Sequence, residues 1–293
     1  MNAGAVFPAA PARSPEPPYV VCRPAAPFAV PLVFASPHSG RVYPSELMQA
    51  SALDAAEIRK SEDAFVDRLI LGGVGHGATI IAARYARAYI DVNRAPYELD
   101  PAMFADGLPA FAQPDTARVA AGLGSIARIV AEGREIYSRK LNFAEAEARI
   151  EAVHRPYHQM LDGLVAEARA QHGAMLLIDW HSMPAAAARA TASGLDMVLG
   201  DRFGGACAPH VTQAAQDALG RLGYKVARNA PYAGGYTTEL YGRPADGLHA
   251  LQIEINRGLY LDEARLTTHA GFDRLKTDLD TVFARLAAVA AAL

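Results

Sequence analysis

The sequence predicts an α/β fold in which helices cover both faces of a largely parallel or mixed sheet. Short apolar runs of the length typical of strands alternate along the chain with longer segments of helical character. The chain also has 293 residues, of which 51% are hydrophobic and 20% charged, enough to bury one large core. We therefore expect one large domain rather than several small ones.

The first 27 residues are expected to lie outside this domain. They are rich in Ala and Pro and show no periodic pattern. A segment of this composition usually lies along the surface of a domain or has no fixed structure. The prolines also interrupt any signal-like apolar stretch, so no export signal is evident. The predicted division is an N-terminal extension at 1–27 and a single domain at 28–293.

The predicted strands are short, apolar and partly β-branched. The first, FAVPLVFAS, ends at the polar turn PHSG, which places His38 just past a strand end. Strands are predicted at 28–36, 78–83, 88–92, 174–179, 195–199, 224–228 and 249–256. Helices are predicted near 45–57, 63–73, 125–139, 143–171, 206–222 and 262–291.

Charge and cysteine content narrow the function classes. A net charge of -3 and a pI near 6.3 provide no broad basic field, which disfavours nucleic acid and anionic membranes as partners. Cys22 and Cys207 are far apart and form no CxxC pair, which argues against a disulfide framework and favours a cytoplasmic protein. The default partner is a small molecule, and the oligomeric state stays open.

Polar residues at the ends of apolar strands are the first candidates for chemistry, because ligands of a helix-flanked sheet bind beyond the strands' carboxyl ends. The run LQIEINR buries Glu254 between Ile253 and Ile255. A carboxylate there is unfavourable unless it is paired or lies beside a metal. Glu254 is the strongest catalytic candidate, and the alternative is a structural ion pair with an arginine such as Arg257.

Two histidines suggest a metal site. His38 in PHSG and His181 in DWHS both follow apolar strands, in turns that would expose the imidazole. Asp179, two residues before His181, could orient that ring. A catalytic zinc needs a third protein ligand, and the segment SEDAF offers Glu62 and Asp63. The alternatives are loop histidines bonded to backbone and a carboxylate favoured by a helix dipole.

Several arginines would suit an acidic substrate, because a guanidinium matches a carboxylate. Arg87, Arg94 and Arg128 lie near strand ends or in glycine-containing loops, and the alternative is a set of solvated surface pairs. His154 and His158 have the spacing of a helical metal pair, but Pro156 between them weakens that interpretation, leaving His158 alone to line the site. No GxSxG motif is present, which disfavours a serine hydrolase.

Eight motifs, taken together and in order, resemble the N-formylglutamate amidohydrolase family. They are PHSGRVYP, EDAFVDRL, ARAYIDVNRAPYE, GLGSIARIV, RPYHQML, LLIDWHSMP, APYAGGYTTELYG and ALQIEINRGLY, and they cover nearly everything from residue 31 to 262. This family is similar to zinc carboxypeptidases and aspartoacylase. The resemblance implies a three-layer α/β/α fold with a central mixed sheet, zinc-carboxypeptidase-like (phosphorylase/hydrolase-like), and one zinc ion per chain.

The resemblance also implies roles for individual residues. His38, Asp63 and His181 would bind the metal, and Glu254 would be the general acid/base. The predicted substrate-binding residues are Arg87, Asn93, Arg94, Arg128 and Tyr236, and Asp179, Glu62 and His158 are expected to surround the ligands. One departure is clear, since the carboxypeptidase pattern HxxE would need Glu where this chain has Arg41. The carboxylate ligand must come from elsewhere, and Asp63 is preferred to Glu62.

The function implied is zinc-dependent hydrolysis of the amide bond of a small acidic N-acyl amino acid. N-formyl-L-glutamate, cleaved to formate and L-glutamate in histidine degradation, is the expected substrate. One alternative is a related zinc deacylase or carboxypeptidase that acts on another N-acyl amino acid or a peptide. Another is a metal-free binding or regulatory protein on the same scaffold, which the missing HxxE glutamate would favour.

Overall fold

A seven-stranded mixed sheet forms the centre of the protein, in a computed structural model that describes residues 16–190 and 194–293. Its strands are β1 (Tyr19–Cys22), β2 (Leu32–Ser36), β3 (Thr79–Ala83), β4 (Met175–Met183), β5 (Met197–Gly200), β6 (Val226–Arg228) and β7 (Leu248–Asn256). The strand order is β1-β3-β2-β4-β7-β5-β6. A small hairpin of β8 (Leu261–Asp262) and β9 (Thr267–Thr268) follows β7.

Strand direction places three strand ends at one edge of the sheet. β3, β2, β4 and β7 are parallel to one another, while β1 and β5 run antiparallel to their neighbours β3 and β7. The carboxyl ends of β2, β4 and β7 therefore meet at the same edge, where ligands bind in sheets of this kind.

Helices lie between most of the strands. The α-helices are α1 (Ser45–Ala50), α2 (Val66–Leu69), α3 (Ala117–Ala120), α4 (Phe143–Arg149), α5 (Arg155–His172), α6 (Ala185–Arg189), α7 (Pro209–Arg221), α8 (Tyr236–Tyr241) and α9 (Gly271–Ala290). A π-turn at Ile150–His154 joins α4 to α5. Short 3-10 helices lie at Ile58–Ser61, Ile70–His76, Pro101–Met103, Ala131–Gly133, Pro244–Asp246 and Arg257–Leu259. Within the described ranges, none of these helices combines the length and apolarity needed to cross a membrane.

The sheet separates two apolar cores, which confirms the predicted three-layer arrangement. On one face, Leu176, Ile178 and Trp180 of β4 pack with α7 and α9. On the other face, Met175 and Leu177 pack with α5. Because side chains alternate along a strand, Asp179 and His181 project from the α5 face. The same alternation places Gln252 and Glu254 of β7 on that face, since Ile253 and Ile255 belong to the other core.

Two predicted elements are absent from the structure. Residues 88–92 form a turn instead of a strand, in which Tyr89 and Ile90 donate to the carbonyl of Ala86. Residues 125–139 form a loop with a single 3-10 turn instead of a helix, and Gly133 adopts a φ of 73° at its end. Residues 88–92 and the first residues of the second segment, 125–127, are buried, and an apolar run by itself does not distinguish a packed loop from a regular element.

The boundary predicted at residue 28 is wrong, because the sheet begins earlier. Tyr19–Cys22 forms β1 and pairs with β3 in antiparallel register, from Tyr19 opposite Ala83 to Cys22 opposite Ile80. The two valines of this short segment favour a strand, and an edge strand tolerates flanking prolines. The first 15 residues of the predicted extension lie outside the described residues.

The helix predicted at 143–171 is confirmed despite Pro156. The π-turn ends at His154, and Pro156 falls in the first turn of α5, where a missing backbone N–H is tolerated. The helix predicted from residue 262 begins instead at Gly271, because the β8–β9 hairpin occupies the intervening residues.

Candidate active site

A cavity of about 500 Å³ lies at the edge where β2, β4 and β7 end. Its wall includes His38, Asp63, His181 and Glu254, which sequence analysis had selected from four separate segments. Other parts of the wall come from the turn after β3, the loop at 118–133, the loop at 231–235, and Lys60 and Arg257. The topology thus brings the main predicted residues to one place.

Three electron-rich atoms converge inside this cavity. His181 Nδ1 lies 3.1 Å from His38 Nδ1 and 3.1 Å from Asp63 Oδ2. His38 Nδ1 lies 3.4 Å from the same Asp63 oxygen. All three side chains are buried, and within the described part of the chain they form a group that could hold a metal ion.

The chemistry of these atoms fits a metal ion. His38 Nε2 donates to Asp91 Oδ1 at 2.6 Å, and His181 Nε2 donates to Asp179 Oδ2 at 2.9 Å. In the neutral form of each ring, with the proton on Nε2, the Nδ1 lone pair is directed toward the other ring and the Asp63 oxygen, as metal binding requires. Tetrahedral zinc with bonds of about 2.0–2.1 Å places its ligands about 3.3 Å apart, close to the spacing seen here. Carboxylates on the remote nitrogens are typical of zinc-binding histidines.

The electrostatics of the group also favour a cation. Burial raises the pKa of Asp63, but the interactions with His181 and His38 and the charge of Arg257 outweigh it and hold the pKa well below its usual range. Burial lowers the pKa of His181, yet Asp179 and Asp63 outweigh it and raise the pKa well above its usual value. These carboxylates stabilise positive charge in a buried place.

Asp91 is a residue whose role sequence analysis missed. Its Oδ1 accepts from His38 Nε2 and from the backbone N–H of Asn93 at 2.8 Å, and its Oδ2 accepts from Arg87 at 2.7 Å. Burial raises the pKa of Asp91, but His38, Arg87 and Arg94 hold it well below its usual range. The polar run DVN was the available signal, but assigning Asp91 to His38 required the tertiary contact.

Glu254 lies opposite His181 in the pairing of β7 with β4. Burial raises the pKa of Glu254 to about 7, against the lowering effect of His181, Arg87 and Arg257. Gln252 Nε2 donates to Glu254 Oε1 at 2.9 Å. A carboxyl group that titrates near neutrality is suited to general acid/base chemistry.

The alternative in which Glu254 pairs with Arg257 is wrong. Arg257 instead donates from Nη2 to Asp63 Oδ1 at 2.9 Å and from Nε to Ser182 at 3.1 Å. The guanidinium therefore positions the carboxylate of Asp63 and leaves Glu254 facing the cavity.

Asn93 lines the cavity, but protein groups occupy its amide. Its Nδ2 donates to Asp179 Oδ2 at 3.0 Å and lies 2.9 Å from His181 Nε2, while its Oδ1 accepts from the N–H of Thr237 at 2.7 Å. A Cβ at Gly235 would lie 2.6 Å from Asn93 Nδ2, so the close approach of this loop requires glycine. Asn93 thus ties the loop at 235–237 to β4, and its contact with substrate stays a prediction.

The predicted arginines divide into two groups. Arg87 and Arg94 line the cavity, whereas Arg128 pairs with Asp100 at 2.9 Å and Glu135 at 3.3 Å in a neighbouring cleft. The prediction for Arg128 is corrected for this reason. Arg118, which sequence analysis did not select, lines the cavity instead.

Tyr236 and Glu62 also lie away from the cavity wall. The ring of Tyr236 packs 5.4 Å from the ring of His158, and Tyr232 lines the cavity in its place. Glu62 accepts from Tyr43 at 2.7 Å and from Arg59 at 2.8 Å, so its carboxylate is directed away from the metal group. Between the two acidic residues of SEDAF, the geometry favours Asp63.

His158 supports the site from behind rather than lining it. Its Nε2 donates to the carbonyl of Val92 at 2.7 Å, and the Nε2 of His154 donates to the carbonyl of Arg94 at 2.8 Å. Both rings belong to the helical segment 143–172 and hold the loop that carries Asp91 and Asn93.

Comparison with known proteins decides the family. A profile of the N-formylglutamate amidohydrolase family matches residues 30–261, most of the chain. The chain belongs to this family. The crystal structure of the N-formylglutamate amidohydrolase from Ralstonia eutropha JMP134 superposes with a TM-score of 0.88 at 36% identity, covering 94% of this chain and 98% of that one.

Curated relatives of this amidohydrolase agree with that assignment. The N-formylglutamate deformylase of Pseudomonas putida is 28% identical over 82% of this chain and 85% of its own length. The enzyme of the same name from Pseudomonas aeruginosa is 28% identical over 80% and 83%. The chain is therefore an amidohydrolase with an α/β fold, and the cavity at the strand ends is its candidate active site.

Proposed function

We propose that this amidohydrolase releases formate from N-formyl-L-glutamate with the help of a zinc ion held by His38, Asp63 and His181. The observation that carries the proposal is the convergence of His38 Nδ1, His181 Nδ1 and Asp63 Oδ2 within 3.4 Å of one another, beside Glu254. Bound there, zinc would supply Lewis-acid chemistry toward the scissile carbonyl and lower the pKa of the attacking water. The names of the relatives support the choice of substrate.

Glu254 would move the protons. Its carboxylate would take a proton from the attacking water and deliver it to the amide nitrogen as that nitrogen leaves. A pKa of about 7 in the surroundings of this cavity allows both transfers near neutral pH. Gln252, which donates to Oε1, would keep the other carboxylate oxygen directed to the reacting atoms.

The charge of the cavity favours an acidic substrate. Among the residues that the structure describes, five cationic side chains and two carboxylates, Asp63 and Glu254, line the cavity. The cations are Lys60, Arg87, Arg94, Arg118 and Arg257. Arg87 lies close enough to Glu254 to lower its pKa, so it is suited to the α-carboxylate next to the scissile amide.

The test combines metal content with formate release. Protein purified without chelator should contain about one zinc per chain, by the three-ligand rule for catalytic zinc. It should release formate from N-formyl-L-glutamate, lose this activity on chelation and regain it when zinc returns. Zinc without formate release would overturn the substrate and favour another acyl amino acid. Failure to bind zinc would overturn the metal site and favour the binding-protein alternative.

A further inference from the structure

Lys60 differs from the other cations of the cavity wall because it has no partner among the residues that the structure describes. No described side chain or carbonyl forms a hydrogen bond with its ammonium group and no described carboxylate lies within 4.0 Å, although Lys60 is half-buried. Each of the four arginines has a protein partner. Arg87 pairs with Asp91, Arg118 with Glu98 and Arg257 with Asp63, and Arg94 donates to the carbonyls of Asn93 and Leu123. A ligand carboxylate would supply the counter-charge that Lys60 lacks.

The backbone of Lys60 is fixed relative to the metal group. Its carbonyl accepts from Arg257 Nη1 at 3.3 Å, and Nη2 of the same guanidinium holds Asp63 at 2.9 Å. The neighbouring Arg59 turns away to pair with Glu62. Arg59 therefore pairs within the protein, whereas Lys60 lies at the cavity wall.

Asp54 does not serve as the missing counter-ion. Hydrogen bonds from the backbone of Glu57 and Ala56 lower its pKa, and the charge of Lys60 affects that pKa less than these bonds do. The carboxylate of Asp54 is therefore stabilised by its own turn.

We propose that Lys60 binds the side-chain carboxylate of the substrate and selects glutamate-like over neutral N-formyl amino acids. This inference rests on the proposed function. In N-formylglutamate the side-chain carboxylate lies farther from the scissile amide than the α-carboxylate does. A cation on a long flexible stem at the wall is suited to the distal group, because Arg87, whose charge acts on Glu254, is already suited to the α-carboxylate.

The test compares two substrates that differ only in this charge. In Lys60→Met, which keeps the length of the stem, KM for N-formyl-L-glutamate should rise about tenfold or more, with kcat little changed. KM for N-formyl-L-glutamine should stay within about twofold of its wild-type value. Lys60→Arg should restore most of the preference for N-formyl-L-glutamate. The exposed Lys276, remote from the cavity wall, supplies the control Lys276→Met, which should change neither substrate.

Equal losses with both substrates, or no loss with either, would overturn the role of Lys60. Binding of the two compounds to Glu254→Gln protein, with and without Lys60→Met, separates this inference from the reaction itself. A Lys60-dependent preference for N-formyl-L-glutamate in binding, without formate release by the wild type, would overturn the proposed function and support the specificity role. Formate release without that preference would support the function and overturn the role of Lys60.

Discussion

Glu254 and His181 occupy paired positions on β7 and β4, and both project from the sheet face that packs against α5. The pairing places the proposed proton-transfer group beside a candidate metal ligand without any loop having to position it. Strand residues are held by their ladders, so this geometry is rigid. The catalytic role of Glu254 can therefore be tested separately from metal binding.

Glu254→Gln should lower kcat by at least about 100-fold, because the amide cannot take the proton of water. The zinc content should stay at the wild-type level, since Glu254 is outside the proposed ligand set. Formate release and elemental analysis measure the two quantities. Glu239 is exposed and pairs with Arg202, so Glu239→Gln is a suitable control and should retain wild-type activity. Near-normal turnover in Glu254→Gln would remove this residue from the mechanism.

Asp91→Asn should weaken zinc binding by about 10- to 100-fold, the usual effect of losing the carboxylate behind a ligand histidine. The change keeps the size of the side chain but removes the charge that holds the Nε2 proton of His38. Competition with a chromophoric chelator measures the affinity. The exposed Asp280, which pairs with His76 on the far side of the sheet, supplies the control Asp280→Asn. Unchanged affinity in Asp91→Asn would show that His38 does not need this partner.

At the scale of elements, the segment from α4 through α5 holds the loop at 91–94 by two buried histidines. Burial lowers the pKa values of His154 and His158 to about 4 each, so both rings are neutral at pH 7. Each ring donates one hydrogen bond to a carbonyl of the loop. Pro156 lies between the two histidines in sequence but does not interrupt the helical segment, because the π-turn ends just before it.

These histidines predict a loss of stability in acid. The unfolded chain binds their protons near pH 6.5 and the folded chain only near pH 4, so stability falls as pH decreases through that window. Each group contributes a slope of about 1.4 kcal/mol per pH unit. Urea unfolding of metal-free protein at several pH values measures the slope. His158→Gln should reduce it, whereas an unchanged slope would contradict neutral burial of His158.

At the scale of the whole molecule, the sheet separates the catalytic face from a purely apolar core. Phe34, Trp180 and Phe283 pack edge to face or tilted against one another in that second core, with ring centroids 5.2 to 5.6 Å apart. α9 covers this core and contributes no residue to the cavity wall. Stability and chemistry should therefore be separable by mutation.

Leu279→Ala in α9 should reduce the free energy of unfolding by about 2–5 kcal/mol, because Leu279 is fully buried. The kcat of the folded fraction should stay near the wild-type value, since the cavity lies on the other side of the sheet. Chemical denaturation and active-site-normalised kinetics measure the two effects. Lys276→Ala, at an exposed position of the same helix, should change neither. A large loss of kcat in folded Leu279→Ala would show that the two faces are coupled.

The sequence by itself determined the fold class, six strands of the sheet and the candidates His38, Asp63, His181 and Glu254. These predictions used polar residues at strand ends, apolar periodicity and family motifs. All three are properties of short segments and do not depend on tertiary contacts. The turn at 88–92, the loop at 125–139 and the strand β1 were decided by packing, because equally apolar segments adopt whichever backbone their neighbours allow.

Only the tertiary structure assigned partners. It paired Asp91 with His38 and directed Arg257 to Asp63. It turned Glu62 and Arg128 away from the cavity and placed Lys60 at the cavity wall, where no described carboxylate pairs with it. A charged residue in a sequence carries no information about which of several opposite charges it will meet. That choice depends on distance and burial, which exist only once distant segments are brought together.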